Sequence, residues 1–212
     1  MLPMQHFRLR VEFTEPVLGS QPGKNVAEEY LLAKARAQNP GLNTDDEAES
    51  LTEDEALEKG TTVFHKHPEG RYLLFNYQQK GFVKEVARIF NGHQGVKNMR
   101  NKVANLLWVH PRRIYLNLPE GAEVDYLERP LRAETAQGPR VALARSEMLP
   151  AGTWFECYLR VYKSDLTEEL LRDLLSFGRD QGLGQWRSSG IYGTFRYTLT
   201  ALEKPPPGSE QW

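Results

Sequence analysis

Met4-Gln-His-Phe-Arg-Leu-Arg-Val-Glu-Phe-Thr14 alternates apolar with polar or charged side chains throughout. Phe7, Leu9, Val11 and Phe13 therefore share one face, the period-2 signature of a strand with one side in a core. The next ten residues, Glu15-Pro-Val-Leu-Gly-Ser-Gln-Pro-Gly-Lys24, are rich in Pro and Gly and end that strand. Beyond them lies a short helical pattern near residues 27–37, then Asn39-Pro-Gly41, then eight carboxylates and no base over residues 45–58. Such a segment reads as a mobile acidic insertion or lobe, residues 25–60, attached after the first strand.

The remaining chain alternates between the two periodicities. Residues 62–65 predict a strand, His67-Pro-Glu-Gly70 a turn, and residues 71–76 lead into a helix. Within residues 77–91, Phe82, Val83, Val86, Ala87 and Phe90 have helical spacing for a buried face, while Lys80, Lys84 and Arg88 recur every four residues on another. Residues 96–108 predict a second helical stretch, and residues 109–118 return to strand alternation, with Arg112 and Arg113 near its start. The segment 128–145 is a projecting basic hairpin with Arg129, Arg132, Arg140 and Arg145 around a Gln-Gly-Pro turn. These arginines either line a groove or solubilise a long loop, and the groove is favoured. A strand at 154–162 follows, and Ser164-Asp165 is expected to cap the next helix, with Glu168 completing a capping box. Leu166, Leu170, Leu171, Leu174 and Leu175 form that helix's buried stripe. A final strand at 192–202 precedes a Pro-rich tail, residues 205–212, expected to be disordered. The order strand, insertion, helix, strand, hairpin strand, helix, strand is that of an α+β, ferredoxin-like (RRM-type) β-α-β-β-α-β core within a single domain, residues 1–204.

Between the last helix and strand stands Gly182-Leu-Gly-Gln-Trp-Arg-Ser-Ser-Gly-Ile-Tyr-Gly-Thr-Phe195. Gly182, Gly184, Gly190 and Gly193 permit positive φ and close backbone approach, so amides and Arg187 can converge on an anion. A flexible connection with Trp186 folded onto the core fits the same residues.

A net charge of −1 conceals a separation along the chain, because residues 59–145 carry 15 Lys or Arg against seven Asp or Glu. The acidic insertion masks a basic body able to attract a polyanion in a salt-dependent way. The single cysteine, Cys157, excludes an internal disulfide and a cysteine-rich zinc site. No signal-peptide stretch or membrane-length apolar run is found, so a soluble, cytoplasmic protein without membrane contact is expected. Gly19-Ser-Gln-Pro-Gly-Lys-Asn25 is one residue short of a phosphate-binding loop and has Asn25 in place of Ser or Thr. His65 and His67 lack a third ligand at diagnostic spacing, so no metal and no cofactor are expected. His6, His65, His67, His93 and His110 are general-base candidates by residue type alone.

Several of these segments resemble the repeat-associated mysterious protein (RAMP) superfamily, whose members build the backbones of CRISPR effector complexes. Glu12-Phe-Thr-Glu-Pro-Val-Leu-Gly19 is similar to its first-strand motif, and residues 61–71 with Asn76-Tyr-Gln-Gln-Lys-Gly81 to the segment opening its first helix. Residues 147–155 resemble its Gly-Thr-Phe strand entry, and residues 182–195 its carboxy-terminal glycine-rich loop. The motifs occur in the family's order over most of the chain. The resemblance implies RNA-backbone contacts from Lys80 with its helix start and from Arg187. Asn76, Tyr77, Gln78 and Gln79 depart from the family's first-helix signature. Thr61 stands where RNA-cutting backbone subunits place an aspartate. A fainter resemblance, through Arg129-Pro-Leu-Arg-Ala-Glu-Thr-Ala-Gln-Gly138 and Gly182-Leu-Gly-Gln-Trp-Arg187, is to phage and prophage proteins, which would make this a viral relative.

Three functions fit. The favoured one is a non-catalytic binder of single-stranded nucleic acid, RNA before single-stranded DNA, through Lys80, Lys84, Arg88, Arg129, Arg132, Arg140, Arg145 and Arg187. Trp186, Tyr192 and Tyr77 would offer stacking surfaces, with self-association or a CRISPR-type complex as the assembly. The second is a metal-independent endoribonuclease. The third is a phage-encoded decoy or inhibitor acting through protein contacts.

Overall fold

In the computed structural model residues 4–23, 61–135, 138–162, 166–188 and 190–206 are described, with residues 131–135 and 138–142 described by backbone alone. The strands and helices run β1 (Met4–Phe13), β2 (Val17–Leu18), β3 (Gln21–Pro22), β4 (Thr61–Val63), β5 (His65–Lys66), β6 (Tyr72–Phe75), α1 (Asn76–Ile89), α2 (Met99–Leu106), β7 (Leu107–His110), β8 (Arg113–Tyr115), β9 (Asp125–Thr135), β10 (Gly138–Leu149), β11 (Trp154–Tyr162), α3 (Glu168–Gln181) and β12 (Phe195–Leu202). The chain divides into two compact units, residues 1–17, 65–123 and 149–212 in one and residues 18–64 and 124–148 in the other. The acidic insertion read at residues 25–60 lies outside the described residues, as do residues 207–212 of the tail.

The first unit is built on a four-stranded sheet of order β12-β1-β11-β7. All three pairings are antiparallel. With α1 between β1 and β7, and α3 between β11 and β12, this is the connectivity and strand order of the ferredoxin-like α+β fold. Phe7, Leu9, Val11 and Phe13 are all buried, as the alternation requires, beside Phe155, Cys157, Leu159 and Val161 of β11. Both helices cover this face. Phe82 of α1 meets Phe195 of β12 edge-on at 5.8 Å. A Cβ on Gly178 of α3 would stand 2.7 Å from the Phe82 ring, so the helices pack too closely for a larger residue there. Each large apolar side chain fully buried in this layer contributes about 1.5–3 kcal/mol.

Local departures from the sequence reading have physical causes. The cap of α3 is Thr167, whose hydroxyl accepts the Leu170 amide at 3.2 Å, while Ser164 and Asp165, expected to cap it, lie outside the described residues. Thr167 directly precedes Glu168 and Glu169, acids that suit the positive helix end, and Glu168 pairs with Arg172 one turn on. Residues 71–76 do more than lead into a helix, since β6 pairs with β5 and β8 in a small sheet. The second helical stretch is shorter than expected, because Leu107 and Val109 bury alternately and join the sheet as β7. Pro111, which has no N–H to donate, separates β7 from β8. The last strand starts at Phe195, because the preceding residues close the glycine-rich loop.

In the second unit β9 and β10 form the expected hairpin, in register from Gly138↔Thr135 to Met148↔Asp125. Arg145 and Ser146 of β10 pair in parallel with Thr61 and Thr62 of β4, which pairs with β3. A Cβ on Gly19 would overlap the Val63 backbone, so this glycine serves close strand approach. Among the described residues no helix is long and apolar enough to cross a membrane.

Candidate nucleic-acid interface

The polar phase of the strand alternation defines the other face of the four-stranded sheet, the side the two helices leave uncovered. The registers align its side chains in rows. One row holds Leu202, His6, Arg160 and Trp108, and the next Thr200, Arg8, Tyr158 and His110. A third holds Thr198, Arg10 and Glu156, and a fourth Arg196, Glu12 and Trp154, while Tyr162 stands beyond the first, opposite Met4. Four aromatic rings are thus interleaved with four arginines and two histidines. The Arg10 guanidinium lies 3.9 Å from the Trp154 ring centroid. Trp108 is met edge-on by Tyr162 at 5.2 Å, with Arg160 at 5.7 Å. Lys80 reaches round the sheet edge from α1 to within 5.3 Å of the same ring. Such contacts draw each cation to the ring's negative face.

Like charges dominate one end of this face. Burial, and then the Arg160 guanidinium, hold the His6 imidazole below its usual range. His110 is lowered by burial, then Arg160, then His6. Lys80 is lowered by burial and then by Lys84. The carboxylates of the face, Glu12 and Glu156, stand in the other two rows, and Glu12 is bound by Arg196. Chemically, the surface offers stacking to bases and positive charge to a backbone.

The residues singled out in the sequence are distributed differently. In the first unit Lys80 joins the Trp108 corner, and Lys84 and Arg88 continue along α1, with no ion pair among the described residues. The Arg187 side chain is half-buried and donates to Glu85 in an ion pair. Gly182, Gly184 and Gly193 have positive φ and Gly190 does not, while Trp186, Ser188 and Ile191 also adopt that conformation. The loop packs on itself: the Leu183 and Ser188 amides donate to Gly193 and Gln181, and the Gly193 amide to Pro16. A Cβ on Gly193 would overlap the Leu183 carbonyl, and one on Gly190 the Trp186 carbonyl and the Tyr192 ring. Tyr192 and Trp186 are half-buried against this loop's turns. Tyr77 is 58% exposed and stacks on Phe75 at 5.5 Å.

In the second unit Arg129 lies opposite Ala144, and Arg145 opposite Glu128, so the two arginines point to opposite faces of the hairpin. Arg145 pairs with Glu128 at 3.3 Å and lies 4.1 Å over Tyr126. Arg132 and Arg140 align with Val141 and Ala133, and their side chains are outside the described residues. Of the histidines, His6 and His110 share the sheet face. His65 packs on Phe75, His67 beside Glu69, and His93 bonds Asp173 at 2.8 Å. No cluster of metal-ligating side chains occurs among the described residues. Cys157 is buried in β11, where burial pushes its thiol up and keeps it protonated.

Arg8, Arg10, Trp108, Trp154, Tyr158, Arg160 and Tyr162 were not singled out from the sequence. The signal was present in the strand periods: in Met4–Phe13 and Trp154–Tyr162 the apolar phase names the core, and the other phase names this face.

The fold and face define a ferredoxin-like α+β protein with an open sheet surface rich in aromatic and cationic groups. No family model matches the chain, and no curated protein matches it. Among solved structures it is similar to a chain of the cryo-EM structure of the type III-B Cmr-beta bound to cognate target RNA, with a TM-score of 0.50 and 10% identity. The match covers 94% of this chain and 61% of that one, so this chain spans about three-fifths of its length. The likeness is one of fold.

Proposed function

We propose that this protein is a non-catalytic single-stranded RNA-binding protein, related to CRISPR effector backbone subunits and assembling with them or with further copies of itself. The observation that carries this reading is the open sheet face, where Trp108, Trp154, Tyr158 and Tyr162 alternate with Arg8, Arg10 and Arg160 in consecutive cross-strand rows. The Cmr-beta structure that contains the similar chain was bound to cognate target RNA, which supports RNA as the ligand. Stacking supplies sequence-tolerant affinity and the cations supply backbone attraction. The 2′-hydroxyl distinguishes RNA from DNA at such a surface.

Fluorescence anisotropy with labelled single-stranded RNA and DNA across a salt titration tests the proposal. Affinity for RNA that falls with salt, exceeds that for DNA of the same sequence, and drops with Trp154→Ala supports it. Absence of binding at low salt overturns it in favour of a protein-contact role. Shortening of the RNA in the presence of chelator overturns the non-catalytic part and moves the reading to a metal-independent ribonuclease.

A further inference from the structure

We propose that the corner of the open face at the β7 edge is a phosphate-binding site that anchors one phosphate of a bound strand. The inference rests on the RNA-binding reading for the source of that phosphate, and on the local geometry for its place. His6 from β1 is opposite Arg160 from β11, which is opposite Trp108 from β7. One residue-pair along, Arg8 is opposite Tyr158, which is opposite His110. Lys80 enters from α1, so that its ammonium and the Arg160 guanidinium lie 5.3 Å and 5.7 Å from one Trp108 ring.

Four elements thus direct positive or protonatable groups to one place, and the two rows that form it contain no carboxylate. Arg8, Lys80 and Lys84 make no ion pair among the described residues. Cations gathered in this way repel one another, and the imidazoles register it: burial and then the Arg160 guanidinium push His6 and His110 below the usual imidazole range. Lys84 works against the Lys80 charge. A tetrahedral anion relieves that repulsion, offering oxygen acceptors to the guanidinium fork, the ammonium, the imidazole N–H groups and the Tyr158 hydroxyl. Trp108 and Tyr158 would then stack the flanking bases, fixing the register of the strand from its anchored phosphate.

A bound anion stabilises the imidazolium forms, so binding takes up protons. The sign follows: affinity for phosphate and for RNA rises as pH falls through the lowered imidazole range. Among the described residues the groups placed beside these imidazoles are Arg8 on β1, Tyr158 and Arg160 on β11, Trp108 on β7, and Lys80 with Lys84 on α1.

The decisive probe is inorganic phosphate, followed by NMR of the His6 and His110 imidazoles in the full chain, with chloride at matched ionic strength as control. Saturable, phosphate-specific shifts that raise both imidazole pKa values, and that disappear in Arg160→Gln, support the site. Identical responses to phosphate and chloride overturn it. With single-stranded RNA, Arg160→Gln and Lys80→Gln should each lower the slope of log affinity against log salt by about 1. An unchanged slope in both variants overturns the anchor. Oligonucleotides with and without a 5′- or 3′-terminal phosphate separate the sources, since a preference for the phosphorylated end assigns a terminal monoester and equal affinity a backbone diester. RNA binding that survives without a phosphate response overturns the anchor and leaves the RNA-binding reading intact. Phosphate binding without RNA binding overturns the RNA-binding reading and the strand anchor with it, leaving a site for a free phosphate.

Discussion

The open sheet face and the glycine-rich loop are both cationic and aromatic, yet they use their charges in opposite ways. In the loop, Arg187 is neutralised by Glu85, and the amides of Leu183, Ser188 and Gly193 are engaged by carbonyls of the chain itself. On the sheet, Arg10 lies over Trp154, Lys80 over Trp108, and Arg8 has no carboxylate partner among the described residues. Glycine here serves close packing, whereas the flat strand rows leave rings and cations on the surface. A cation's availability depends on what faces it, and residue type alone does not report that.

The contrast can be broken most sharply at the centre of the face. Tyr158→Ala should cost about 1–3 kcal/mol of RNA binding, roughly 5- to 150-fold in affinity, with little change in Tm, because the side chain is half-buried on the uncovered side. Anisotropy alongside thermal melting measures both. Gly193→Ala should do the opposite, destabilising the fold by about 1–3 kcal/mol through its positive φ and the clash with the Leu183 carbonyl. RNA affinity of the folded fraction should stay unchanged in that variant. Arg187→Ala removes an ion pair of partly exposed groups, and its effect on urea unfolding should be about 0–1 kcal/mol, again without loss of RNA binding. The smallest effect belongs to Asp173→Asn, at the carboxylate that bonds His93 and Gln94. Its carboxyl is held below the usual range mainly by the hydrogen bond from His93, so the stabilisation it gives is present above the unfolded carboxylate pKa and lost as pH falls through the folded one. Wild type and variant should therefore differ slightly in Tm at neutral pH and converge in acid.

Much of the architecture was legible in the strand and helix periods. Phe7, Leu9, Val11 and Phe13 marked β1 by alternation, and the leucines at 166, 170, 171, 174 and 175 marked the buried stripe of α3. Element ends were less legible, since Leu107 and Val109 fit either the end of a helix or the start of a strand until the edge of β11 is there to receive them. The Thr167 cap was missed because Ser164-Asp165 carries the same chemistry three residues earlier. For the site, Lys80 was found through its helical spacing, but its contact with Trp108 joins residues 28 positions apart and follows from the sheet edge. The pairing of His6 with Arg160, and of Tyr158 with His110, depends on strand order and register, which no local pattern contains. Arg187 and Arg145 looked available in the sequence because Glu85 and Glu128 become their partners only on folding.

The central claim is that single-stranded RNA lies across the open sheet face. Ultraviolet cross-linking of the full chain to single-stranded RNA, with the attachment sites mapped by mass spectrometry, tests it most directly. The account predicts cross-links at Trp108, Trp154, Tyr158 or Tyr162. Cross-links confined to residues 182–195 or to the β9–β10 hairpin would contradict it.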